Sequence, residues 1–193
     1  MPTILSQLNA SDLIAFVAVC GPVFEHSSWI AGRTWPSRPF RSIEHLHDCM
    51  CKVVAQATPQ EQLVLIRAHP DLVGRLAREG RLTAQSTTEQ AAAGLAELTP
   101  AEAAEFDRYN TAYRDRFGFP FVICARENRK DAILAAFPRR LQNDRDTETA
   151  IALAEIYKIA RLRLLDAIAE SEAACPSNSP AITMANPRSG SPR

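Results

Sequence analysis

The chain has 193 residues, with 22 Lys plus Arg balanced by 22 Asp plus Glu and a hydrophobic share of 46%. That length suits one domain with a sizeable core, and a zero net charge argues against a nucleic-acid binder or a membrane-surface protein working through a basic field. The longest apolar run, Leu13 to Cys20, is too short to span a bilayer.

Met1-Pro2-Thr3-Ile4 lacks the basic and long apolar regions of a signal peptide. The cysteines Cys20, Cys49, Cys51, Cys124 and Cys175 are odd in number and not spaced as a disulfide framework. Free thiols in a reducing cytoplasm are therefore expected. The terminal Ser-Pro-Arg is not a Ser-Lys-Leu peroxisomal address, which leaves the same expectation.

Helix starts are frequent and chemically explicit, whereas strands are scarce. Ser11-Asp12 can cap a helix through Leu13, Phe16 and Val17. Ser42 can cap another, in which Ile43, Leu46, Met50, Val53, Val54 and Ala57 keep helical spacing. This second helix carries His45-x-His47-x-Cys49-x-Cys51, which invites a metal assignment. On a helix, however, His45 and Cys49 share one face and His47 and Cys51 another, so the four cannot converge, and no metal is expected.

Thr58-Pro59-Gln60-Glu61 is a capping box with proline at the first helical position. The helix it opens must stop at His69, because Pro70 pushes the preceding residue out of the helical region. An imidazole is thereby set at a helix C-terminus, where terminal carbonyls favour its protonated form. It is either a proton-transfer group on a rigid joint or a ring that satisfies local carbonyls; Asp71 can cap the next helix. Ser86-x-x-Glu89 reads as a further capping box, opening a helix through Ala91, Ala92 and Leu95. A helix start there would also offer an anion site lined by Ser86 and Gln90. Glu89 is open to a structural or a catalytic reading.

Thr99-Pro100-Ala101-Glu102 is a second proline-containing capping box. Its helix aligns Phe106, Tyr109, Tyr113 and Phe117 on one core-facing stripe and stops at Gly118. Phe119 to Ala125 is apolar and carries a proline, and is expected to be an extended linker whose backbone groups need partners in protein or ligand. Helical spacing resumes from Asn128 through Ile133, Phe137 and Leu141, with a kink or break expected at Pro138. A last helix is expected from about Asp146 to Glu170.

On that last helix Arg163 projects from the middle of the apolar face. At 100° per residue it lies about 20° around from Ile156, whereas Arg161 points away. Unpaired, it would cost several kcal/mol, so it needs either a buried Asp or Glu or a carboxylate- or carbonyl-rich ligand. Residues 1–170 are thus expected to form a single compact all-α domain with one extended linker, and residues 171–193, rich in Ser, Pro, Ala and Asn, a disordered tail.

Taken together, Phe24-Glu25-His26-Ser27-Ser28-Trp29-Ile30-Ala31, His69-Pro70-Asp71-Leu72, Ser86-x-x-Glu89-Gln90, Phe117-Gly118-Phe119-Pro120-Phe121-Val122-Ile123 and Lys158 to Leu164 resemble the OHCU decarboxylase family over about residues 5–168. One departure is Ser28, where the family often has proline. The resemblance implies a homodimer that decarboxylates 2-oxo-4-hydroxy-4-carboxy-5-ureidoimidazoline, in urate degradation, to (S)-allantoin and carbon dioxide. No cofactor, metal, nucleic acid or membrane is implied. His69 carries over as the proton-transfer residue, with Glu89 and Arg163 as its catalytic partners. Pro70, Ser86, Thr87, Thr88, Gln90, Phe121, Val122, Ile123, Cys124 and Ala125 carry over as substrate contacts. Two other readings use the same residues: a cofactor-free cyclic-amide hydrolase, and a non-catalytic helical dimerisation module.

Overall fold

A computed structural model describes residues 3–74, 79–80 and 82–170. Nine α-helices run through these residues: α1 Leu5–Ala10, α2 Leu13–Cys20, α3 Trp29–Thr34, α4 Ile43–Ala55, α5 Pro59–Ala68, α6 Ala84–Ala92, α7 Pro100–Phe117, α8 Lys130–Arg140 and α9 Arg145–Ala167. The tail expected beyond residue 170 lies outside the described residues. The fold is all-α, with one exception that periodicity could not reveal. Thr3–Ile4 (β1) pairs in parallel with Ile168–Ala169 (β2), Thr3 opposite Ile168. The last helix therefore ends at Ala167 rather than at Glu170, because the next two residues are used as a strand.

Most helix starts obey local chemistry. Asp12, Ser42 and Asp144 accept from the first-turn amides of α2, α4 and α9. Thr58 and Thr99 form full capping boxes with Glu61 and Glu102. At α6 the cap is not the expected one: the helix opens at Ala84 with Thr83 accepting from the Ser86 amide at 3.2 Å. Ser86 therefore lies in the first turn and is not the cap, and Glu89 sits inside the helix. The expectation of a helix start at Ser86 fails because Thr83 supplies an equivalent hydroxyl three residues earlier. Likewise α8 runs through Pro138 to Arg140, the proline costing only one amide in the final turn.

α9 is the spine. Its buried residues Ala152, Leu153, Ile156, Ile159, Ala160, Arg163 and Leu164 face the core, and it packs on α4, α5 and α2. At the end of α7, Gly118 adopts φ 76°, the left-handed cap that a side chain would strain. From Pro120 to Cys124 the chain has no regular secondary structure, as a linker requires, but the expected span is shorter than Phe119 to Ala125, because Phe119 lies in a bend and Ala125 opens the 3-10 turn Ala125–Glu127. Its backbone partners are specific: Arg140 Nη1 donates to the Val122 carbonyl at 2.6 Å, and the Cys124 amide donates to Glu155 at 2.8 Å. Arg140 is itself held by the fully buried Glu148, which also accepts from Tyr113 and from Asn143. The Phe121 ring stacks on Phe137 at 3.9 Å between centroids.

Glu148→Ala would leave the Arg140 charge buried without its partner. Stability measured by urea denaturation should fall by about 3–5 kcal/mol.

Candidate active site

His69 caps α5 in an extended conformation (φ −75°, ψ 137°), as a residue before proline must. It is 6% exposed, and its Nδ1 lies 3.0 Å from the Leu65 carbonyl oxygen. A carbonyl can only accept, so Nδ1 carries the proton, and on a neutral ring Nε2 is left with its lone pair. Burial holds the ring neutral, lowering its pKa to about 4 against the opposing pull of the Leu65 hydrogen bond and the Glu25 charge. This reverses the expectation that helix-end carbonyls favour the charged form: desolvation outweighs them.

Arg163 reaches into the same region from α9 and is 2% exposed. Its Nε and Nη2 form a two-point pair with Glu89 on α6, at 2.8 and 2.7 Å. Nη1 donates to Glu25 at 2.8 Å and to the Val23 carbonyl at 3.4 Å, and Nη2 also donates to Ser86 at 3.3 Å. All five N–H groups are therefore occupied by protein. Of the two partners that an inward arginine called for, buried acids are the ones present. These carboxylates raise the Arg163 pKa despite burial.

Glu25 is marked in the sequence only by its place in the Phe24–Ala31 motif. It is 3% exposed and accepts from Arg163, from Thr83 at 2.9 Å and from Ser86 at 3.2 Å. Burial would raise its pKa, but the Arg163 charge and the hydrogen bonds from Arg163 and Thr83 bring it below the usual carboxylate range. The available signal was indirect: an arginine that must be buried implies an acid in an otherwise apolar stretch.

An open cavity brings together His69, Pro70, Ser86, Glu89, Gln90, Phe121, Val122, Ile123, Ala125 and Arg163, with Leu72 and Ile159 completing the wall. Gln90 Oε1 accepts from the Val73 amide at 3.1 Å, which leaves its NH2 group without a protein partner among the described residues. Three expected contacts stand elsewhere. Thr87 and Thr88 spend their hydroxyls on the Thr83 and Ala84 carbonyls of their own helix, at 3.0 Å each, and face outward. Cys124 is buried, with its thiol pushed up to about 11 by burial and its amide given to Glu155. Asp71 pairs with Arg114; residues 75–78, in the stretch it was expected to cap, lie outside the described residues.

In the His45–Cys51 stretch, His47 Nε2 lies 2.9 Å from the Tyr157 carbonyl oxygen and His45 Nδ1 accepts from the Arg41 amide. Among the described residues no group of three or more His, Cys, Asp or Glu could hold a metal ion.

Residues 9–165 match the profile of the family described as OHCU decarboxylase. A Haloferax volcanii protein named 2-oxo-4-hydroxy-4-carboxy-5-ureidoimidazoline decarboxylase is 43% identical over 84% of this chain and 94% of its own length. The crystal structure of (S)-allantoin synthase superimposes with a TM-score of 0.69 at 29% identity, covering 87% of this chain and 54% of that one. An OHCU decarboxylase crystallised in the presence of (S)-allantoin shares the fold, with a TM-score of 0.62 at 24% identity over 81% of this chain and 97% of its own.

The buried charges set two measurable outcomes. A histidine in the unfolded chain titrates near 6.5, so between about 6.5 and about 4 the unfolded state binds the extra proton. The contribution of His69 to stability is whole above that window and is lost as the pH falls through it. Urea midpoints compared at about pH 7 and about pH 5 should differ less in His69→Asn than in the wild type. Glu25→Ala should lower stability by about 3–5 kcal/mol in the same assay, since it leaves Arg163 under-compensated.

Proposed function

The chain belongs to the OHCU decarboxylase family, and from that premise we propose that it converts 2-oxo-4-hydroxy-4-carboxy-5-ureidoimidazoline to (S)-allantoin and carbon dioxide in urate degradation, without a cofactor. The observation that carries this reading is a neutral, buried imidazole with a free Nε2 lone pair in one cavity with Glu89, Gln90 and the extended linker.

The chemistry needs little else. When the carboxylate leaves as carbon dioxide, its bonding pair stays in the ring, where the adjacent C=N group accepts it. The ring nitrogen that receives the pair takes a proton, the one consumed for each carboxylate lost, and the resulting enol becomes the carbonyl form as its hydroxyl gives up a proton and the neighbouring ring carbon takes one. His69 Nε2, a lone pair in the resting ring, takes the hydroxyl proton and delivers it to one face of the carbon, which makes the product a single enantiomer. Glu89 stands beside the departing carboxylate and disfavours its charged state. Arg163 holds Glu89 in place, its own N–H groups being fully engaged. The free NH2 group of Gln90 and the amides of Val122 and Ile123, which have no protein partner among the described residues, hydrogen-bond the ring and ureido oxygens.

Residues 1–170 are the catalytic unit in this reading, and the enzyme acts as a homodimer in the cytoplasm. The outer face of α2 suits a dimer: the helix is apolar, yet Leu13 is 43% and Ile14 82% exposed. Among the described residues no helix is long and apolar enough to cross a membrane.

The test is to monitor freshly generated substrate by circular dichroism. Wild type should accelerate formation of (S)-allantoin, and His69→Ala and His69→Asn should each lower kcat by about 10²–10⁴-fold. Normal acceleration by both variants would remove His69 from the reaction.

A further inference from the structure

On the outer side of the Arg163–Glu89 pair lies a second open cleft, bounded by Gln85, Thr88, Arg126 and Asp166 and sharing Glu89 and Arg163 with the cavity. Arg126 comes directly after Ala125, a cavity residue, in the 3-10 turn Ala125–Glu127 that packs on α6. Its guanidinium meets Asp166 of α9, Nη1 to Oδ2 at 2.5 Å and Nη2 to Oδ1 at 3.3 Å. Both side chains are open to solvent, at 32% and 61% of their full exposure.

Charge makes this pair relevant to the reaction. Around Arg163, at the cavity wall, two carboxylates, Glu89 in the lining and Glu25 buried behind it, face one guanidinium, and His69 adds no charge. The surplus is one negative charge, and Arg163 has no N–H left to offer. A substrate that is itself a carboxylate therefore needs a cation from elsewhere, and Arg126 stands in the adjoining cleft beside Glu89. We propose that Arg126 is the anion-docking residue for this substrate, exchanging the carboxylate of Asp166 for that of the incoming ureidoimidazoline and so seating the leaving group next to Glu89. The proposal rests on the decarboxylase reading above.

The exchange suits an exposed pair, which holds its partners weakly and swaps one carboxylate for another of the same geometry. It also suits the fate of the charge. Once carbon dioxide has gone, Arg126 has lost its new partner and returns to Asp166, so no uncompensated cation remains. The neutral product keeps no hold on it. Arg126 therefore acts in capture, whereas tight retention of the carboxylate would slow its loss.

The experiment measures kcat and KM for freshly generated substrate, together with inhibition by neutral (S)-allantoin, in wild type, Arg126→Ala and Asp166→Asn. Arg126→Ala should raise KM about tenfold with kcat unchanged or slightly higher, and leave the allantoin inhibition constant as it was. Asp166→Asn removes the internal competitor and should lower KM, a direction that a folding defect cannot imitate. An unchanged KM in Arg126→Ala, an equal weakening toward substrate and allantoin, or a raised KM in Asp166→Asn would overturn the proposal while leaving the wild-type activity standing. A wild type that does not accelerate the reaction would overturn the decarboxylase reading and this proposal with it.

Discussion

A guanidinium inside a protein brings a full charge and five N–H groups, and leaving either unanswered costs more than most single contacts return. Arg163 meets both demands with carboxylates drawn from distant parts of the chain: Glu89, 74 residues away, and Glu25, 138 residues away. The pair with Glu89 fixes how α6 lies against α9. The pair with Glu25 fixes the turn that leads into α3. Ser86 joins the two, accepting from Arg163 and donating to Glu25. Since α6 also carries Gln90, the floor of the cavity exists in this form only while the clamp is closed.

The opposite wall depends on a second buried pair, and the two are linked through α9. Glu148, in its first turn, holds Arg140, and Arg140 holds the Val122 carbonyl. Glu155, seven residues on, accepts from the Cys124 amide. Arg163, eight residues further, holds Glu89. Spacings of seven and eight keep these side chains along one side of a helix. One rigid element thus places both the extended linker and α6. Bound this way, an apolar strand-like segment can stay unpaired with any sheet and still leave amides available at the cavity.

Much of this was written locally. The capping boxes, the left-handed Gly118 and the break before Pro70 depend on neighbours in sequence, so a sequence reading finds them. Arg163 was legible because a helix has a fixed period and a charge on its apolar side is conspicuous. The partners of Arg163 were not, since nothing within the motif of Glu25 says which arginine it will meet. At α6 two hydroxyls compete for one cap, and position alone does not favour Thr83 over Ser86. His69 shows a further limit: the local rule placed the ring correctly but misread its charge state, because desolvation by the surrounding fold opposes the helix end and is the larger effect. Two-residue strands such as β1 and β2 are too short to show any period.

In the proposed reaction the neutral state of His69 bears directly on how the ring carbon is protonated. Proton transfer to carbon is slow and benefits from a strong acid, yet a strong acid does not hold a proton at neutral pH. A ring whose surroundings disfavour its charged form resolves this conflict. Any proton that it accepts during the reaction is held unfavourably and is passed on readily, and the Leu65 carbonyl keeps Nδ1 occupied, so Nε2 is the only exit. The surplus carboxylate in the clamp acts in the same sense on the other partner. It opposes the substrate's charge, which vanishes as carbon dioxide forms, and it steadies the imidazolium that exists in between. In the proposed reaction, burial and the excess of acids over bases therefore act on different charges: the acids disfavour the carboxylate at the start and steady the imidazolium, while burial keeps that imidazolium short-lived.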